Sequence, residues 1–251
     1  MFIDTRALGS FPDDTCPLGA SRVDITDVPR VKAVYVWGGA EPSVLAVHGW
    51  GTDSTAMSVV VDMAMRGGES VLCFDAPGHG ISPGTQATIT EYATAIAMVL
   101  QRFPSIRTVV AHSLASIAAV AAVADSMESS VRAMLLLAPT CSLAEVLNRW
   151  VADRGLPVGL VGLISDELAR RDGVPVSHWD IRTLALPSSV RVQLVHDPED
   201  SSVPVSDSLH IAEAIGADLH QTTPGVGHHG VLGCEQTRLI LTAERQHDAG
   251  D

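Results

Sequence analysis

The chain has 251 residues, 46% of them hydrophobic and 18% charged, enough apolar material for one large core and too much for a disordered chain. With 16 Lys and Arg against 29 Asp and Glu the net charge is −13, which repels phosphate backbones and leaves nucleic acid outside the expected partners. Aromatic residues make up only 4%, so the core must be built from Ala, Val, Leu and Ile.

The N-terminal stretch MFIDTRALGSFPDD carries Asp4, Asp13 and Asp14 and has no long apolar run, so no signal peptide is expected there. Apolar, β-branched runs at 31–37, 43–48 and 70–75 predict short strands. The runs at 106–112, 132–139 and 190–196 are almost continuously apolar, as strands buried on both faces are. Helices are predicted between them: 54–66, ending at Gly67-Gly68; a second that starts at Thr88 with the capping-box partner Glu91 and stops at Pro104; a third from Leu114; and a fourth over 206–215 before Gly216. This alternation implies an α/β fold, with a mostly parallel central sheet flanked by helices and binding residues gathered at the carboxyl ends of the strands.

One segment departs from the rhythm. From Cys141 to Ser189 no strand is signalled, while LAEVLNRWVA and LVGLISDELARR read as two amphipathic helices. A single crossover needs only about a dozen residues, so 141–189 is expected to form a small helical cap insertion between core segments 1–140 and 190–251. Arg149 and Arg154 are expected on the solvated faces of these helices. The longest stretch without Asp, Glu, Lys or Arg, 108–124, is too short for a membrane span. Cys16, Cys73, Cys141 and Cys234 lack C-x-x-C spacing, which fits free thiols and a cytoplasmic location better than disulfides or zinc. No metal or organic cofactor is expected, since SVLCFDAPGHG offers only a G-x-G and not the dinucleotide fingerprint.

Four loops carry the chemistry. In AHSLA (111–115), Ser113 follows a buried strand and opens a helix, a place suited to a nucleophile and equally to a plain helix cap. In AVHGWGTD (46–53) a glycine-rich turn after a strand suits backbone N–H groups aimed at an oxyanion; Trp50 offers one, and Leu114, the residue after Ser113, another. The turn QLVHDPEDSSVP (193–204) holds three competing carboxylates, Asp197, Glu199 and Asp200. GVGHHGVL (225–232) places His228 and His229 between glycines, downstream of the acids. Trp50, Trp150 and Trp179 are candidates for the border of a pocket, and His112 for a structural role beneath Ser113.

Together these motifs, with FDAPGHGIS (74–82), resemble the α/β-hydrolase superfamily of esterase- and lipase-like serine hydrolases, from about residue 31 to about 245. The departures are Ala111 and Ala115, where the family's G-x-S-x-G has glycines, and Asp197, where H-G-x-x-D has glycine. The resemblance implies an α/β-hydrolase fold with Ser113 as nucleophile, Asp200 as acid and His228 as base, and FDAPGHGIS as a loop that shapes the sheet edge. It implies cleavage of a carboxylic ester, lactone or thioester of a small-molecule acyl substrate through an acyl-enzyme. A biosynthetic acyl-transfer or cyclising enzyme, and a non-catalytic binding member of the fold, are the alternatives.

Overall fold

The computed structural model describes residues 16–126 and 129–243. Eight strands form one sheet: β1 (Ser21–Asp24), β2 (Ala33–Trp37), β3 (Val44–Val47), β4 (Val71–Phe74), β5 (Thr108–His112), β6 (Ala133–Leu137), β7 (Arg191–His196) and β8 (Asp218–Gln221). Their order is β1-β2-β4-β3-β5-β6-β7-β8. β2 is antiparallel to both its neighbours, and every other pairing is parallel.

Side chains alternate across the sheet and feed two apolar layers. Along β5, Val109 and Ala111 face one layer and Val110 the other. The first layer is completed by α2 (Ile89–Arg102), α3 (Ala115–Ala124) and α6 (Val205–Ile215), the second by α1 (Ser58–Arg66) and α7 (Glu235–Ala243). Ala115 to Val123 of α3 are all buried. A helix of such small side chains can lie close to both β5 and α2, and this fixes the turn that precedes it. The Thr88–Glu91 capping box is present in full, the Thr88 hydroxyl accepting the Glu91 N–H at 3.2 Å and the Glu91 carboxylate accepting the Thr88 N–H at 2.9 Å.

The structure differs from the sequence reading in three places, two of them with a local cause. The helix expected over 54–66 is a 3-10 turn, Ser54–Met57, followed by α1. The Asp53 carboxylate caps the Thr55 N–H at 2.9 Å and Asp75 takes the Ser54 N–H at 2.8 Å, which draws the first turn towards the neighbouring loop. β1 (SRVD) and β8 (DLHQ) are mostly exposed edge strands without an apolar run, and they gave no strand signal. α7 likewise passed unread. Parts of the core segments 1–140 and 190–251, including Asp4, Asp13 and Asp14, lie outside the described residues.

Between β6 and β7 stand α4 (Leu143–Asp153) and α5 (Gly159–Asp172), then two short 3-10 turns at 176–178 and 181–183. α4 buries Leu143, Leu147 and Val151, whereas α5 buries no residue fully. Arg149 is not a solvated cation. Its guanidinium makes two 2.9 Å bonds to Asp207 at the start of α6, a carboxylate that also accepts the Cys141 N–H at 2.9 Å. Asp207 is buried and needs a paired cation, and this draws Arg149 from the surface. Arg154 lies over the Trp150 ring at 4.7 Å. Among the described residues no helix is long and apolar enough to cross a membrane.

Candidate active site

β5 delivers Ser113 to the carboxyl edge of the sheet. Ser113 has a φ of +57°, a left-handed conformation that costs a non-glycine residue about 1–3 kcal/mol. The Ser113 N–H donates to the Leu137 carbonyl at 2.9 Å, and the buried flanks Ala111 and Ala115 hold the turn on both sides. Both alanine methyls are fully enclosed, so this turn accepts alanine where glycine is usual.

Ser113 Oγ lies 3.0 Å from His228 Nε2, and His228 Nδ1 lies 2.7 Å from Asp200 Oδ2. The Asp200 side chain is wholly buried, and its other oxygen accepts the N–H groups of Ser202 at 2.7 Å and Val203 at 3.0 Å. Burial alone would raise its pKa. The contacts from His196 and His228 and the two backbone donors outweigh it and hold the carboxyl far below the usual carboxylate range. Of the three competing acids only Asp200 meets His228. Glu199 is exposed, and Asp197 is turned to backbone amides: it accepts the N–H of Glu199 at 2.9 Å, of Gly225 at 3.3 Å, and of Gly227. His196, which the sequence reading passed over, is wedged under the acid between Ser208 Oγ (2.6 Å) and the Val203 carbonyl (3.0 Å).

The turn at 48–51 packs beside the serine. A Cβ on Gly49 would lie 2.7 Å from His112 Nδ1 and 3.4 Å from Ser113 Cβ, so only glycine fits. Two buried histidines shape this turn, a role not visible in the sequence although His48 lies in AVHGWGTD and His79 in FDAPGHGIS. His48 Nε2 accepts the Ala76 N–H at 3.0 Å, and His79 Nε2 accepts the Gly51 N–H at 3.1 Å. Each ring therefore carries its proton on Nδ1, facing the Gly49 and Pro77 carbonyls respectively. Burial lowers the pKa of both, that of His79 to about 4, which keeps them neutral and accepting. Among the described residues the backbone N–H groups of Trp50 and Leu114 donate no hydrogen bond.

His112 is buried beneath the turn, and its Nε2–H donates to the His228 carbonyl at 3.0 Å. His229 stands edge-on to His228, ring centroids 5.2 Å apart, and makes no bond to Ser113 among the described residues. A cavity of about 40 Å³ lies between Trp50, Leu114 and Ile89 on the core side and Leu143, Leu147, Val176 and Trp179 opposite. Trp179 thus borders it with Trp50, whereas Trp150 does not. A larger hollow of about 700 Å³, near Trp37 and Met65, shares no wall with Ser113, Asp200 or His228.

The strand order, the sharp strand-to-helix turn and the flanking helices define an α/β-hydrolase fold. Mouse alpha/beta hydrolase domain-containing protein 10 superimposes with a TM-score of 0.65 at 17% identity, over 92% of this chain and 98% of that one. An esterase from Pyrococcus furiosus gives 0.61 at 16% identity (99% and 94%), and the thioesterase domain from the curacin biosynthetic pathway 0.61 at 16% (89% and 98%). No curated protein matches the chain by sequence. The model of the family described as serine aminopeptidase, S33, matches residues 39–165, and the chain belongs to this family of α/β-hydrolases.

Proposed function

We propose that this protein is a serine hydrolase that cleaves a small carboxylic ester, lactone or thioester through an acyl-enzyme. The observation that carries this reading is the unbroken contact chain from Ser113 Oγ through the His228 ring to Asp200. Ser113 attacks the acyl carbon while His228 Nε2 takes its proton. Asp200, ionised at neutral pH, accepts the Nδ1–H, holds that tautomer and stabilises the imidazolium. The N–H groups of Trp50 and Leu114 receive the oxyanion. The leaving group departs with the proton from His228; water, deprotonated by the same ring, then releases the acid and frees Ser113.

Residues 141–189 act in this reading as a cap whose apolar side chains close over the acyl group. The cavity beside Leu114 favours an uncharged acyl portion. An aminopeptidase substrate, suggested by the family's name, presents an ammonium group; Asp172, on the cavity wall, already lies 3.7 Å from the Arg171 guanidinium. The test is labelling with a fluorophosphonate, read by intact mass. One equivalent should add to the parent and none to Ser113→Ala; equal labelling of both, or none of the parent, overturns the assignment.

A further inference from the structure

We propose that Asp197 and His112 are a pair of positioning residues that clamp the backbone on either side of His228. The proposal rests on the reading of His228 as the general base. The loop that carries His228 is intrinsically soft, because Gly225 and Gly227 both take left-handed φ values, +91° and +79°, and neither has a side chain to pack. A base on such a loop keeps its place only if the backbone is held from outside.

The holding groups come from two strand ends. Asp197, immediately after β7, is fully buried, and its two oxygens receive three N–H groups: Glu199 and Gly225 on one, Gly227 on the other. The Glu199 amide leads the donors that keep this carboxyl below the usual range, so it stays an ionised, acceptor-only group. His112, the last residue of β5, donates to the carbonyl of His228 itself. The peptide units 224–225 and 226–227, just upstream of His228, are thereby tied to the end of β7, and the one after it, 228–229, to β5. Ser113 and Asp200 extend from the same two strand ends, so serine, acid and base share one frame. Asp197 stands where the family's pattern has glycine. A glycine there offers no carboxylate, so this chain holds its histidine loop by an added device.

The test compares Asp197→Asn, Asp197→Ala and His112→Phe with the parent on p-nitrophenyl acetate. It records kcat, KM, the thermal midpoint and the downfield proton resonance of His228 Nδ1–H against Asp200. Loss of the clamp should lower kcat about 100-fold in Asp197→Ala, the scale of a misplaced catalytic group. Asp197→Asn keeps one acceptor oxygen and should recover to about tenfold below parent, with His112→Phe similar and KM within about twofold throughout. All three losses stay well below the loss of about 10⁴-fold expected of Asp200→Asn. The downfield resonance should broaden or vanish in Asp197→Ala at temperatures well below its melting. A lowered thermal midpoint with parent-level kcat and an unchanged resonance overturns the clamp. If Asp197→Ala does not fold, the other two variants carry the same readouts. A parent that neither turns over ester nor takes the fluorophosphonate defeats the proposed function, and the clamp is then judged on the resonance alone.

Discussion

Ser113 is held in a backbone conformation that its own Cβ disfavours, and this separates the chemical role proposed for it from its structural cost. Replacing it with alanine removes the hydroxyl and keeps the strained Cβ; replacing it with glycine removes both. Both variants should be inactive, and Ser113→Gly should be more stable than Ser113→Ala by about 1 kcal/mol. Paired urea melts measure the difference, and an alanine variant as stable as the glycine one would mean that the turn stores no strain. Ser113, Leu114, Trp50, Asp200 and His228 were all named from the sequence, because each lies in a short motif whose residues are neighbours along the chain. The bonds of Asp197, His112, His48 and His79 were not legible. Each joins loops that are far apart in sequence, and a buried histidine reads the same whether it merely packs or fixes another loop's amide.

At the level of elements, the legible strands were those with apolar runs, and the helices those with caps and breakers. Strand pairing and the direction of β2 carry no such signature. Arg149 shows why the segment between β6 and β7 is only half readable: its spacing on α4 suits a solvated face, yet its partner Asp207 lies 58 residues later on α6. This ion pair ties α4 to α6. Arg149→Leu leaves a buried carboxylate unpaired and should cost about 3 kcal/mol, a fall in Tm of about 6–12 °C. Scanning calorimetry checks this; an unchanged Tm would mean that α4 is held by Leu143, Leu147 and Val151 alone.

For the whole molecule, acid should act on stability before it reaches the carboxylates. Burial holds His79 at about 4 and His112 at about 3, and lowers His48 as well. In the unfolded chain these rings take up protons near pH 6.5. Between that pH and the folded values the unfolded state binds more protons, so stability falls as pH falls. Urea midpoints at pH 7.5, 6.5, 5.5 and 4.5 should drop below pH 6.5, less steeply in His112→Phe; a flat profile down to pH 4.5 would contradict the burial of neutral rings. The rims of the sheet have a different consequence. Among the described residues β1 pairs only with β2 and β8 only with β7, so each leaves a row of peptide groups facing outward. The residues there, Ser21-Arg22-Val23-Asp24 and Asp218-Leu219-His220-Gln221, are the ones least like strands. A second copy sliding alongside would have to lay its own backbone against charge and lose water from it. The polarity that hides these strands from a reading of the sequence also makes the rims of a broad open sheet poor templates for growth into a filament.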